Sequence, residues 1–308
     1  MKKQNKKYLV LVVLVFLLFF LTSCGAVEEY KPIDGVKGFW DIFVIPMAAL
    51  MYGIGQLIPS YGVVIIITTI IVRTLAWPIY AKTNDMSLKM QIMGPEQAKL
   101  EAKYAGKTDP ESQQRKQMEM MQLYKKHGVG FGGCLLPLIQ FPIFIGFFQT
   151  LQRVPLTGEG YGMNFSFLNS NFLGLDLFKG RVELVGELEG QLVSNYQHWG
   201  IIILAALVGI TQIVSQILMA RRQKQAREQT QSNVPAYRQP EKTDMQKQSE
   251  MTMKIMMYGM TAMMVFFVYR STAALGLYWL VGNLYTTLQG YIGHKRSKAR
   301  METLKSKI

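Results

Sequence analysis

The sequence predicts an all-α membrane protein: five transmembrane helices, N-terminus out and C-terminus in, enclosing a hydrophilic groove, with a cytoplasmic helical hairpin and an outer amphipathic helix. Three observations carry that reading. Apolar residues make up 49% of the 308-residue chain, including 20 Met and 16 Phe, and they fall in long blocks separated by charged stretches. Lys and Arg, which raise the net charge to +14, concentrate in alternate connecting segments. One arginine, Arg73 in "TTIIVRTLAWP", lies inside an apolar block, where a guanidinium is costly.

Residues 1–23 read as a cleaved signal peptide. Lys2, Lys3, Lys6 and Lys7 precede an apolar core from Tyr8 to Phe20, and "LTSC" ends it as a bacterial lipobox would. Cleavage before Cys24 would leave a thiol carrying diacylglycerol and an N-acyl chain, palmitate among them. No other cofactor is expected. Cys134, the one other cysteine, is expected at a membrane boundary, away from Cys24. The three histidines (His127, His198, His294) are scattered and give no metal site.

A membrane span needs roughly 20 apolar residues. The five expected spans are 60–81, 129–152, 198–219, 251–270 and 271–292. Segment 24–59 lies outside and holds an amphipathic interfacial helix over 39–58, with a sixth span as the alternative. Orientation follows the positive charges. Segment 82–128 carries nine Lys and Arg, segment 220–250 seven, and the tail 293–308 six. The outer loop 153–197 carries three against five acids. An odd number of spans with the lipid-bearing end outside fits every loop.

Segment 82–128 is expected to fold as a helical hairpin. Gly106 and "KTDPE" supply its turn, with Asp109 as N-cap and Pro110 in the first helical position. Met86, Met90 and Met93 on one arm, and Met118, Met121 and Tyr124 on the other, form an apolar stripe. The stripe either packs the two arms together or offers an adaptable surface to apolar partners or lipid headgroups. Segment 220–250 reads as a solvated loop. No nucleotide-binding loop, catalytic carboxylate pair or Ser/His/Asp set occurs, so the chain is not expected to be an enzyme.

Arg73 would lie about 14 Å from the inner end of its span at 1.5 Å per residue, too deep for easy snorkelling. The interiors of the five spans hold no Asp or Glu. They do hold neutral polar groups: Thr68 and Thr69, Gln140 and Gln149, Thr211, Gln212, Ser215 and Gln216, and Tyr278, Trp279, Asn283 and Gln289. A guanidinium has five donors and each of these groups few acceptors, so a charge without a counter-charge implies a wet cavity. Four-residue spacings, such as Thr69 to Arg73, Gln212 to Gln216 and Trp279 to Asn283, put such groups on shared helix faces.

The motifs "RTLAWP", "GGCLLPLIQFPIF" at 132–144, "KYAGKTDPESQQRKQMEMMQLYKKHG" and "LGLYWLVGNLYTTLQ" at 275–289 resemble the YidC family of membrane protein insertases. The lipobox is similar to that of its Gram-positive lipoprotein members. The resemblance spans roughly residues 40–295. It implies a five-helix core whose hydrophilic groove opens to the cytoplasm and to lipid and closes on the outer side. The groove arginine corresponds to Arg73, the groove glutamine to Gln216 or its neighbour Gln212, and the tryptophan to Trp279; Thr69, Gln140 and Asn283 complete the expected substrate groove. Gly130-Phe131 and Pro137 depart from the family pattern.

The function implied is an insertase that draws short hydrophilic segments of nascent membrane proteins into the groove, where Arg73 attracts acidic residues. Their apolar helices then move into lipid. The Sec translocon and the ribosome are further expected partners, and the chain would act as a monomer. The basic tail would meet ribosomal RNA phosphates or anionic lipid, with lipid favoured. A small-solute transporter using the same polar line is the alternative; a purely structural assembly factor would need no cavity.

Overall fold

The computed structural model describes residues 31–104, 106–107, 109–128, 140–160, 162–180, 196–231 and 244–305. The signal segment, Cys24, Cys134, Gly130-Phe131 and Pro137 lie outside the described residues. The chain runs through helices α1 (Asp41–Leu57), α2 (Tyr61–Leu75), α3 (Trp77–Lys103), α4 (Pro110–Lys126), α5 (Gln140–Arg153), α6 (Tyr196–Gln231), α7 (Asp244–Arg270) and α8 (Ala273–Lys305). A two-residue antiparallel pair, β1 (Asn171–Phe172) and β2 (Leu175–Asp176), sits between α5 and α6. The core is apolar and aromatic, with Met51, Tyr61, Ile65, Phe147, Leu151 and Leu275 fully buried.

The first expected span is two helices, not one. The helix of α2 stops at Leu75, and Ala76 separates it from α3, whose first turn holds Pro78. Proline lacks the N–H that a continuous ladder would need at this point but fits the start of a new helix. The first arm of the hairpin therefore begins at Trp77 and runs unbroken to Lys103.

Segment 220–250 is corrected from a loop over 220–231 and 244–250, its described residues. Helix α6 continues through Gln231 and α7 begins at Asp244, because the Gln, Lys, Arg and Ala of this stretch are good helix formers. The tail is helical too, as α8 extends to Lys305. At 1.5 Å per residue α6 is about 54 Å long and α8 about 50 Å, well beyond the ~30 Å of a hydrocarbon core.

Among the described residues, one helical stretch, Tyr196–Arg222, is long and apolar enough to cross a membrane, and two shorter apolar helices are Asp41–Leu57 and Tyr61–Leu75. The break at Ala76 shortens the first expected span. Helix α1 also differs from expectation. Val44, Met47, Ala48 and Met51 face the core, while Ile42, Pro46, Ala49, Gly53 and Leu57 are exposed, so apart from Asp41 and Gln56 both faces are largely apolar.

One end of the bundle is tied shut. Asn169 pairs with the entrance to α2, accepting from Tyr61 N at 3.0 Å and donating to Pro59 O at 2.9 Å. The 177–180 segment accepts from Ala273 and Ala274 at the start of α8. Beneath these ties lies a buried ion pair, Arg153 to Asp41. Arg153 also donates to the carbonyls of Lys31 and Pro32 at 2.8 and 3.3 Å. Asp41 accepts from the amides of Lys37 and Gly38, both at 2.8 Å. Burial works to raise the Asp41 pKa, but the Arg153 hydrogen bond and the two amides hold it below the usual value.

At the other end, α3 and α4 form the expected hairpin. Asp109 caps α4 by accepting from Ser112 N at 2.8 Å, and Pro110 opens the helix. Ion pairs clasp the arms: Lys126 to Glu96 at 2.9 Å and Lys103 to Glu119 at 2.7 Å, with Tyr104 donating to Glu119 at 2.9 Å. Met93 and Tyr104 are buried. Met90, Met118 and Met121 are exposed, so packing between the arms does not account for these three methionines.

Removing Asp41 would leave the Arg153 charge buried without its partner. Asp41→Asn is expected to cost about 3–5 kcal/mol, whereas Asp41→Leu combined with Arg153→Met costs markedly less; thermal unfolding in detergent compares the two. The hairpin is expected to loosen in acid. Glu96 is held below its usual pKa by Lys126 and His127, Glu119 by Lys103 and Tyr104, and Asp109 by Ser112. Because these folded-state values are lowered, their contribution is complete above the unfolded values of about 4 and disappears as pH falls through the folded ones. Amide protection in α3 and α4, measured relative to intrinsic exchange, should stay level from about pH 7 to 5 and decline below about pH 4.

Candidate functional site

Arg73 lies in the last turn of α2, just before the break at Ala76. A helix C-terminus carries roughly half a negative charge on its unpaired carbonyls, so the interruption itself helps to satisfy the cation. Arg73 Nη1 donates to Thr286 Oγ1 on α8 at 3.1 Å. Its guanidinium also rests against Gly282: a Cβ at that position would lie 2.8 Å from Nη2. The missing side chain at Gly282 leaves the space in which the guanidinium lies. Among the described residues, no Asp or Glu forms an ion pair with Arg73.

The break is fastened to the same helix. Thr74 Oγ1 lies 2.8 Å from Tyr285 Oη, and the Trp77 ring meets Tyr285 edge-on at 6.2 Å. A small cleft opens beside Arg73, lined by Thr69, Val72, Arg73, Ala76, Tyr80, Ile143 and Tyr278, with room for about one water. Its polar groups come from α2, α3 and α8, and its apolar wall includes Ile143 of α5.

The sequence-predicted residues do not gather on a single cavity wall. Thr69 and Arg73 share the cleft, although the Thr69 hydroxyl donates to Ile65 O at 2.6 Å. Trp279 is buried and stacks on Phe144 of α5, rings 5.9 Å apart and 7° from parallel. Asn283 is buried against α6, where Nδ2 donates to Val208 O and Thr211 Oγ1, both at 3.4 Å. Ser215 and Thr287 hydrogen-bond along the same seam. Gln216 faces α7 and donates to Thr261 Oγ1 at 2.9 Å, leaving its buried carbonyl oxygen without a partner among the described residues. Gln212 is half-buried. The Gln140 side chain lies outside the described residues. The polar residues thus occupy three contacts, α2–α8, α6–α8 and α6–α7, because neutral amides and hydroxyls on neighbouring helices satisfy one another first.

Sequence reasoning passed over Thr286, Tyr285, Gly282 and Tyr80. A signal existed: Tyr278, Gly282 and Thr286 recur every four residues on one face of α8, alternating ring, gap and hydroxyl opposite a lone cation.

The model of the 60Kd inner membrane protein family matches residues 53–300, a range that contains Arg73, the break and all of the α8 partners. The chain belongs to this family. Several similar proteins are named membrane protein insertases. Membrane protein insertase MisCA of Bacillus subtilis is 31% identical over 293 residues, 94% of this chain and 91% of that protein. Membrane protein insertase YidC 2 of Bacillus anthracis is 32% identical over 291 residues, 93% of each. Membrane protein insertase YidC of Oceanobacillus iheyensis is 29% identical over 301 residues, covering 96% of this chain and all of that protein. The resemblance to YidC read from the motifs is thereby shown, and the small-solute transporter reading draws no support from these relatives.

Gly282→Ala is expected to push the Arg73 guanidinium off α8, since the new methyl would fall at 2.8 Å from Nη2. Thr286→Val removes a hydrogen bond to a charged group and is expected to cost about 1.5–3 kcal/mol. Thermal unfolding of each purified variant in detergent measures both losses; equal stability of Thr286→Val and the parent would contradict the contact.

Proposed function

We propose that this chain is a membrane protein insertase of the bacterial cell membrane, taking hydrophilic segments of nascent membrane proteins into a wet, positively charged groove around Arg73. The observation that carries this reading is a guanidinium without a carboxylate partner among the described residues, held at a helix break beside a cleft. The names of the relatives, insertases over nearly the full chain, support the same conclusion.

The mechanism is electrostatic and hydrophobic, with no covalent step. An acidic segment loses hydration on leaving water, and attraction to Arg73 in a medium of lower dielectric offsets part of that cost. The guanidinium is held in place beforehand by Thr286 and Gly282, so little reorganisation is needed. The substrate's apolar helix then leaves for lipid, and its burial drives release. Five spans with the N-terminus out and the C-terminus in place the tied end of the bundle outside and the α3–α4 hairpin in the cytoplasm. The exposed Met90, Met118 and Met121 would meet arriving apolar segments there.

Thr69, Gln140, Gln212, Gln216, Trp279 and Asn283 complete the groove in this reading, Gln216 through its unpartnered carbonyl and Trp279 as an aromatic wall. The protein is anchored on the outer face by lipid at Cys24. It works as a monomer with nascent chains, the Sec translocon and the ribosome, and its basic C-terminal helix rests on anionic lipid.

The reading is tested with a single-span substrate whose translocated tail carries acidic residues, inserted into vesicles that hold this chain as the sole insertase. Arg73→Lys is expected to keep most of the protease-protected product, Arg73→Ala to lose about ten-fold and Arg73→Glu more, the last two by loss and reversal of charge. Equal function of Arg73→Glu and Arg73→Lys would refute attraction as the driving term.

A further inference from the structure

Helix α8 meets another guanidinium the same way it meets Arg73. A Cβ at Gly290 would lie 2.7 Å from Arg222 Nη1 of α6, as one at Gly282 would lie 2.8 Å from Arg73 Nη2. The apolar stretch of α6 ends at Arg222, which places this arginine at the hairpin end of the bundle, half-exposed. Among the described residues no Asp or Glu forms an ion pair with it. Beside Gly290, Gln289 is 5% exposed and its buried amide nitrogen has no acceptor among the described residues. This level of α8 therefore holds hydrogen-bond donors in excess, an arrangement that calls for an acceptor from elsewhere.

Gly282 and Gly290 are eight residues apart, about 12 Å along the axis and roughly 80° around it at 3.6 residues per turn. The two cations are thus consecutive rungs along one helix, the outer reaching α8 from α2 and the inner from α6. We infer that Arg222 is a specificity-determining residue: a second cationic station that holds an acidic residue of the incoming segment while another reaches Arg73. This rests on the function proposed above. An extended chain advances about 3.4 Å per residue, so acids three or four positions apart span both rungs. A segment with two such acids trades one contact for the next and is not fully unpaired at any point between the surface and Arg73.

The experiment uses the full-length chain in vesicles and three substrates that differ only in the tail: neutral, two adjacent acids, and two acids four residues apart. Arg222→Ala is expected to slow insertion of the spaced tail about five-fold, the loss of roughly one ion contact. It should slow the adjacent pair less and leave the neutral tail unchanged. Arg222→Lys should restore most of the rate, and Gly290→Ala, which displaces the guanidinium without changing charge, should reproduce part of the loss. Equal slowing of all three tails, or slowing that depends on anionic lipid content and not on the tail, would overturn the inference and make Arg222 a phosphate-headgroup clamp. No effect of Arg222→Ala while Arg73→Ala still discriminates the tails would overturn the inference alone. Failure of Arg73→Ala to discriminate them would instead refute the function beneath it.

Discussion

The structure turns on one contact: the Arg73 guanidinium, at the end of α2, laid across Gly282 and bonded to Thr286 of α8. A cation inside an apolar protein body is stabilised by a carboxylate, by water or by aligned carbonyl dipoles. Here the helix ends just past the arginine, before Pro78, so that its C-terminal dipole and a hydroxyl stand where an acid would. An acid would have neutralised the site; dipoles and a hydroxyl hold the charge in position and leave it available. The motifs "RTLAWP" and "LYTTLQ" are therefore one feature seen from two helices.

Around this contact the two ends of the bundle are built differently. One end is locked by backbone pairing of the 157–180 segment and by the buried Asp41–Arg153 pair, which draws in the chain at Lys31 and Pro32. The other end carries the hairpin, whose arms are joined by exposed ion pairs. Exposed pairs of this kind contribute little individually. A backbone-tied end and a hairpin clasped by exposed ion pairs suit the groove proposed above, which would admit chain from a single side.

The helical character and the hairpin were legible in the sequence, because helix caps and turn residues act locally. Asp109 and Pro110 start α4 as their types require, and "KTDPE" turns the hairpin. The Arg73 anomaly was visible because apolar runs expose any charge within them. The partition of polar groups was not visible. Four-residue spacing places Thr211 and Ser215 on one face of α6, but nothing local says that the face meets Asn283 and Thr287 rather than a cavity. Gln216, one position on, turns toward Thr261. Gly282 and Gly290 read as ordinary small residues until the opposing arginines are seen. Over 220–231 and 244–250 the loop reading failed for a different reason: a charged, Gln-rich stretch looks solvated, and a solvated helix has the same composition.

The central claim is that Arg73 stands in water reached from the hairpin side only. Single cysteines at positions 73 and 80, in a chain with Cys134 replaced by Ser, report this directly, since a thiol reacts with a maleimide only where water lets it ionise. A membrane-impermeant maleimide should label both positions in inside-out vesicles and neither in right-side-out vesicles. Labelling from the outer side, or none from either side, would contradict the account.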